Sequence, residues 1–227
     1  MVLKINKILS VMVLVLISQW CIVDLHAQSD RFSTYYHQRK SLFEELPNTK
    51  NEIIFLGNSI TDGGEWIELF NNKKVRNRGI SGDITDGVLY RLDEVTESKP
   101  KKVFLLIGVN DLARGIDSDT IVSNIQEIAI QINKQSPNTE VYIQSILPVN
   151  PVFKKFSGHC SKTEEIISIN KALKIWCKEH TSQYIDLFSH FKNEDDNLMQ
   201  IKYSNDGLHL TGAGYLLWAD IIKAYIK

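Results

Sequence analysis

Ile53-Ile54-Phe55-Leu56-Gly57-Asn58-Ser59-Ile60-Thr61 sets four large apolar residues directly before a glycine, an amide and a hydroxyl. A short β-branched and aromatic run stopped by glycine reads as a strand buried on both faces. The same pattern recurs at Val103–Ile107, which runs into Gly108-Val109-Asn110-Asp111, and at Val141–Ile146, which runs towards Pro148. A weaker strand surrounds Val75, and another covers Tyr184–Leu187. Each of these runs is too short for a helix, so the chain punctuates itself into strands.

Helical stretches lie between them. Thr120–Lys134 places Ile121, Ile125, Ile128 and Ile132 at spacings of three and four, one apolar face. Lys162–Lys178 repeats the pattern with Ile166, Ile169, Leu173 and Trp176, and Gly212–Ile226 with Leu216, Ala219, Ile222 and Ile226. Strands alternating with helices of this length predict βαβ units and a mainly parallel sheet covered on both faces, an α/β layered fold. No repeat, low-complexity tract or linker divides the chain after residue 27. Residues 28–227 therefore read as a single domain, in which 28–50, polar with scattered Phe32, Tyr35, Tyr36 and Phe43, form an N-terminal arm or helix.

The chain has 227 residues with 43% hydrophobic, enough for a continuous core without metals or disulfides. Its net charge is −1, with both signs mixed along the sequence. No basic stripe calls for nucleic acid or an anionic membrane as partner. Lys4 and Lys7 precede an apolar run from Ile8 to Ile17, and Leu25-His26-Ala27 follows. Residues 1–27 thus read as a signal peptide cleaved near Ala27, the run being short for a span of about 20 residues. Such a chain is periplasmic or secreted, with no stable membrane insertion after cleavage. Of three cysteines, Cys21 leaves with the signal. Cys160 and Cys177 remain, either paired or as two free thiols, and spacing does not choose between them. No zinc signature is present, and no cofactor is expected.

Open α/β sheets bind ligands beyond the carboxyl ends of their strands, so the residues after each strand carry the chemistry. These are Gly57-Asn58-Ser59, then Gly79-Ile80-Ser81-Gly82-Asp83, then Gly108-Val109-Asn110-Asp111, and finally Asp206-Gly207-Leu208-His209. Ser59 on a glycine-flanked turn exposes a hydroxyl that needs a base. His209 is the candidate base, since imidazole titrates near working pH. Asp206, three residues earlier, can orient its ring. A developing oxyanion would find donors in the N–H groups of Ser59 and Gly82 and the side-chain amide of Asn110.

Taken in order, these four blocks resemble those of the SGNH (GDSL-type) hydrolases, nearest the branch of platelet-activating-factor acetylhydrolases and carbohydrate O-acetylesterases. The resemblance implies a flavodoxin-like α/β/α sandwich with five parallel strands. It matches Ser59 to the nucleophile, Asp206 and His209 to the rest of the triad, and Gly82 and Asn110 to the oxyanion residues. Asn58 stands where the family's name places an aspartate. The implied activity is hydrolysis of short-chain, acetyl-type esters of carbohydrates through an acyl-enzyme, on a small-molecule or oligosaccharide ester. The alternatives are a lysophospholipase or thioesterase of the same family, or a carbohydrate-binding relative without catalysis. Acyl length, alcohol portion and oligomeric state have no motif to read.

Other residues have blander readings. Asn110 and Asp111 can cap the helix that follows them, and Gly82 and Gly108 can be turn glycines. His37 lies in the arm, and His180 and His190 read as surface residues. His159, on the irregular Pro148–Ser161 stretch beside Cys160, reads as solvent-exposed before it reads as a substrate contact, and Trp66 as core before pocket lining. Gly57–Thr61 lacks the Lys-Ser/Thr of a phosphate loop, and Gly79-x-x-Gly82 is not a dinucleotide fingerprint, which sets nucleotide binding aside.

Overall fold

The computed structural model describes residues 31–226; the expected signal peptide lies outside them. Five strands form one sheet: β1 Ile53–Gly57, β2 Val75–Gly79, β3 Lys102–Leu106, β4 Glu140–Gln144 and β5 Gln183–Ile185. Every pairing is parallel, and the spatial order is β2-β1-β3-β4-β5. This is the doubly wound order whose direction reverses between β1 and β3, where such sheets open a crevice at their carboxyl edge. Helices cover both sides, giving the three-layer α/β/α arrangement.

In chain order the helices are α1 Thr34–Glu45, α2 Ser59–Asp62, α3 Trp66–Phe70, α4 Thr85–Tyr90 and α5 Leu92–Glu97. There follow α6 Val109–Ala113, α7 Ser118–Gln135, α8 Ser157–Cys160, α9 Thr163–Glu179, α10 Phe188–Phe191 and α11 Gly212–Ile222. The α7 face is as expected, with Ile121, Ile125, Ile128 and Ile132 all buried. Asp117 caps its start, its Oδ1 accepting the Thr120 N–H at 2.9 Å.

The sheet's two faces are built differently. Because successive strand residues alternate, Phe55 of β1, Phe104 of β3 and Tyr142 of β4 share one face and sit in register. Their rings stack at 5.1 and 4.6 Å. Trp66 lies on Phe55 at 4.1 Å and meets Trp218 of α11 edge-on at 4.7 Å. Each such pair contributes roughly 0.5–1.5 kcal/mol beyond burial. Trp66 is therefore core. Ile54 and Leu56, and by the same alternation Val103 and Leu105, face the other layer, where α7 and α9 pack against each other.

Three expectations change in detail. In α11 the position expected to be buried at Leu216 is 65% exposed, because the large Trp218 takes the core with Ala219 and Ile222. In α9 Trp176 is only half-buried, stacked on His180, while Cys177 faces the core. The Pro148–Ser161 stretch is not wholly irregular: it holds a 3-10 turn at Pro151–Phe153 and the short α8. Cys160 and Cys177 are free, buried thiols. The arm's α1 buries Tyr36 and Phe43, which cluster with Phe32 and Ile80.

Candidate active site

Ser59 begins α2, a helix of four residues that could not persist alone. Its neighbours hold it. Asn58 caps it, Oδ1 accepting the Ile60 N–H at 3.0 Å. At the other end, Trp66 Nε1 donates to Thr61 O at 2.8 Å and Tyr215 Oη to Ile60 O at 2.9 Å. Gly57 and Gly79 end their strands because a Cβ on either would collide with neighbouring backbone, Leu106 O at Gly57 and Asp62 at Gly79. These glycines let the turn lie across the strand ends. As the first helical residue, Ser59 keeps an N–H with no intrahelical acceptor.

Asp206 and His209 arrive on a separate segment. Asp206 Oδ1 accepts the backbone N–H groups of Leu208 and His209, each at 2.8 Å. Its Oδ2 meets His209 Nδ1 at 2.8 Å. The acceptor-only carboxylate puts the proton on Nδ1, leaving Nε2 with a lone pair. That nitrogen lies 3.0 Å from Ser59 Oγ. Partial burial pushes the Asp206 pKa upward, but the N–H donors and the His209 ring outweigh it, and the carboxyl ends below its usual value. The segment is tied down at both sides: Asn150 N–H donates to Gly207 O at 2.9 Å and Gly207 N–H to Ser204 Oγ at 2.8 Å.

Gly82 and Asn110 follow the two strands that flank β1. Gly82 has φ +81°, and space beside its Cα is open. Asn110 does not cap α6; its Nδ2 donates to Asp83 O at 2.8 Å. His159 Nε2 approaches Asn110 Oδ1 at 2.9 Å, so the reading of His159 as solvent-exposed is replaced by a partly buried contact. The Phe156 ring stands edge-on to both His159 and His209, at 5.8 and 5.0 Å. Serine, both histidines and the asparagine thus form one connected rim with the Gly82–Asp83 turn.

This architecture and motif order coincide with a sequence match: residues 55–217 fit the model of the GDSL-like lipase/acylhydrolase family. The chain belongs to that family. The rat platelet-activating factor acetylhydrolase IB subunit alpha2 is 27% identical over 175 residues, covering 72% of this chain and 71% of the rat protein. The chicken subunit of the same name is 28% identical over 191 residues, covering 78% and 77%. Among solved structures, a GDSL-like lipase from Bacteroides thetaiotaomicron superimposes with TM-score 0.73 at 23% identity, over 84% of this chain and 96% of that one. The acetyl xylan esterase AlAXEase gives 0.64 at 22%, over 78% and 100%. These structures share the fold.

This GDSL-like acylhydrolase carries supports around the site that motif reading missed. Asp111 is completely buried and accepts from Thr85 N–H at 3.0 Å and Thr85 Oγ1 at 2.6 Å, fastening α4 to α6. Burial is the dominant influence on its carboxyl and raises its pKa despite those donors. Under the Gly82 turn, Arg91 donates to Asp83 at 3.0 Å, to Arg78 O at 2.9 Å and to Gly57 O at 3.3 Å. Burial pushes Asp83 up to about 6, with Arg91 pulling against it. No sequence period marks either residue as internal. Among the described residues, no group of three or more His, Cys, Asp or Glu side chains is placed to hold a metal ion, and no helix is long and apolar enough to cross a membrane.

Proposed function

We propose that this acylhydrolase is a serine esterase that removes short acyl groups, acetyl first among them, from carbohydrate esters through an acyl-enzyme. The observation that carries the reading is the 3.0 Å approach of Ser59 Oγ to a His209 nitrogen freed to accept by Asp206 on the far side of the ring. Ser59 Oγ attacks the ester carbonyl carbon while His209 Nε2 takes its proton. The oxygen that gains charge is held by the N–H groups of Ser59 and Gly82 and by Asn110 Nδ2. Protonated His209 then returns its proton to the departing alkoxide. Water, deprotonated by the same nitrogen, attacks the acyl-serine, and the acid leaves as Ser59 recovers its hydrogen.

The short-acyl reading is supported by the names of the relatives: acetyl is the acyl group in the names of both the acetylhydrolase relatives and the xylan esterase neighbour. The test is turnover of p-nitrophenyl acetate, butyrate and octanoate, followed by acetylated oligosaccharides against lysolipids. A steep fall by butyrate and acetate release from sugars are expected; turnover rising to octanoate would favour a lysophospholipase or thioesterase instead. Ser59→Ala should remove both esterase activity and fluorophosphonate labelling, and retained labelling would reject Ser59 as nucleophile.

A further inference from the structure

The Asn110 side chain has one acceptor and two donor hydrogens, and its surroundings fix which end points where. Asp83 O can only accept, so the group 2.8 Å from it must be the amide nitrogen. The oxygen of the amide then faces His159 Nε2 at 2.9 Å, and that nitrogen must carry a hydrogen. One Asn110 N–H is used on Asp83 O, and one remains. The two site histidines consequently hold opposite tautomers: His209 presents a lone pair from Nε2, and His159 presents an N–H from the same atom.

We propose that His159 is a positioning residue for the oxyanion donor: by donating to Asn110 Oδ1 it locks the amide with its free N–H towards the reacting carbonyl. The proposal rests on the reading of Asn110 as that donor. Two effects follow from the contact. The amide cannot turn over without setting two acceptors, its own oxygen and Asp83 O, against each other. A donor on the amide oxygen also polarises the group, so the remaining N–H binds negative charge more strongly. His159 occupies α8, and Gly158 beside it would bring a Cβ only within ordinary contact of Ala113, so α8 rests on α6 where Asn110 sits. Burial, with the charges of His209 and Arg114, lowers the His159 pKa, which favours the neutral ring. Phe156 completes the contact by bracing both rings.

The experiment compares His159→Phe and His159→Gln with Asn110→Ala, and each His159 change in the Asn110→Ala background, using p-nitrophenyl acetate. Phenylalanine keeps ring volume against Phe156 but has no donor; glutamine restores an N–H. H159F is expected to lower kcat about tenfold with KM nearly unchanged, H159Q to recover most of it, and H159F to add nothing once Asn110 is alanine. Melting temperatures of all variants check that the fold persists, and the H159Q comparison stands even if H159F melts early. An H159F loss that persists in full in the Asn110→Ala background, a loss confined to KM, or failure of H159Q to recover kcat overturns the proposal. Wild-type kcat in Asn110→Ala alone overturns the oxyanion assignment itself and, with it, the role of His159.

Discussion

Asp206 grips His209 twice, once through ring Nδ1 and once through the backbone N–H three residues on, each contact at 2.8 Å. One carboxylate therefore sets both where the residue sits and which ring nitrogen is protonated. Asp206→Asn keeps the size but offers an amide where an acceptor is required, and the ring can answer by exchanging tautomers. Turnover should fall by about 10⁴ with the fold intact, as expected when the base presents the wrong nitrogen. Steady-state kinetics beside a circular dichroism melt would check it; a loss under tenfold would mean that the carboxylate does not govern the tautomer.

Gly82 and Gly207 both have positive φ, +81° and +88°, but their surroundings differ. A methyl group on Gly82 meets nothing within 4 Å, whereas on Gly207 it would collide with Asn150 O and press on Cys160 Sγ. Gly82→Ala should therefore cost only backbone strain, about 1–2 kcal/mol, and fall mainly on kcat as its N–H turns from the site. Gly207→Ala should be the more damaging to stability, since the segment carrying Asp206 and His209 must shift. Equal urea midpoints for the two variants would contradict this ordering.

Asp111 offers a check on the support between blocks. Asp111→Ala removes the acceptor for a buried Thr85 N–H and hydroxyl, and the orphaned groups should cost about 2–3 kcal/mol. Asn124 also donates to Thr85 Oγ1 at 2.9 Å, so Asp111→Asn, which retains an acceptor oxygen, should recover part of the loss. Chemical denaturation of the pair measures both; equal losses would point to charge, not hydrogen bonding, as the role of Asp111.

Much of this was legible in the sequence because burial and chemistry coincide locally. Runs such as Ile53–Leu56 and Val103–Leu106 are apolar on both faces, which only an internal parallel strand requires, and the isoleucines of α7 mark its inner face. Ser59, Gly82, Asn110, Asp206 and His209 each follow a strand or its connector, so the topology brings their backbones to one edge. What stayed hidden depends on contacts between distant stretches. Arg91 lies in Tyr90-Arg91-Leu92, unremarkable as a surface residue, and its burial follows from strand-end carbonyls at Gly57 and Arg78. His159 reads as a loop residue because its partner, Asn110, is 49 positions away. The α11 face differs from its periodicity at Leu216 because periodicity weighs leucine with tryptophan, while the space beside Trp66 admits the larger Trp218.

The Arg91 network yields the prediction with a pH signature. Arg91 is fully buried and pairs with Asp83 and Glu94, while Glu94 also pairs with the buried Arg78. Replacing Arg91 by Met leaves two buried carboxylates short of a cation, a change that typically costs about 3–5 kcal/mol. Burial raises Asp83 and Glu94 in the folded state, and Arg91 opposes the rise in both. A carboxyl whose folded pKa is raised contributes stability present below its unfolded value, about 4, and lost as pH climbs through the folded value. For Asp83 that window runs to about 6 in the intact protein. Without Arg91 both folded values climb further, so Arg91→Met should lose more stability than the parent between pH 5 and pH 8. Urea unfolding at the two pH values should show the gap between the proteins widening at the higher one. A gap that stays constant would mean that water, and not Arg91, stabilises the charge beneath the Gly82 turn.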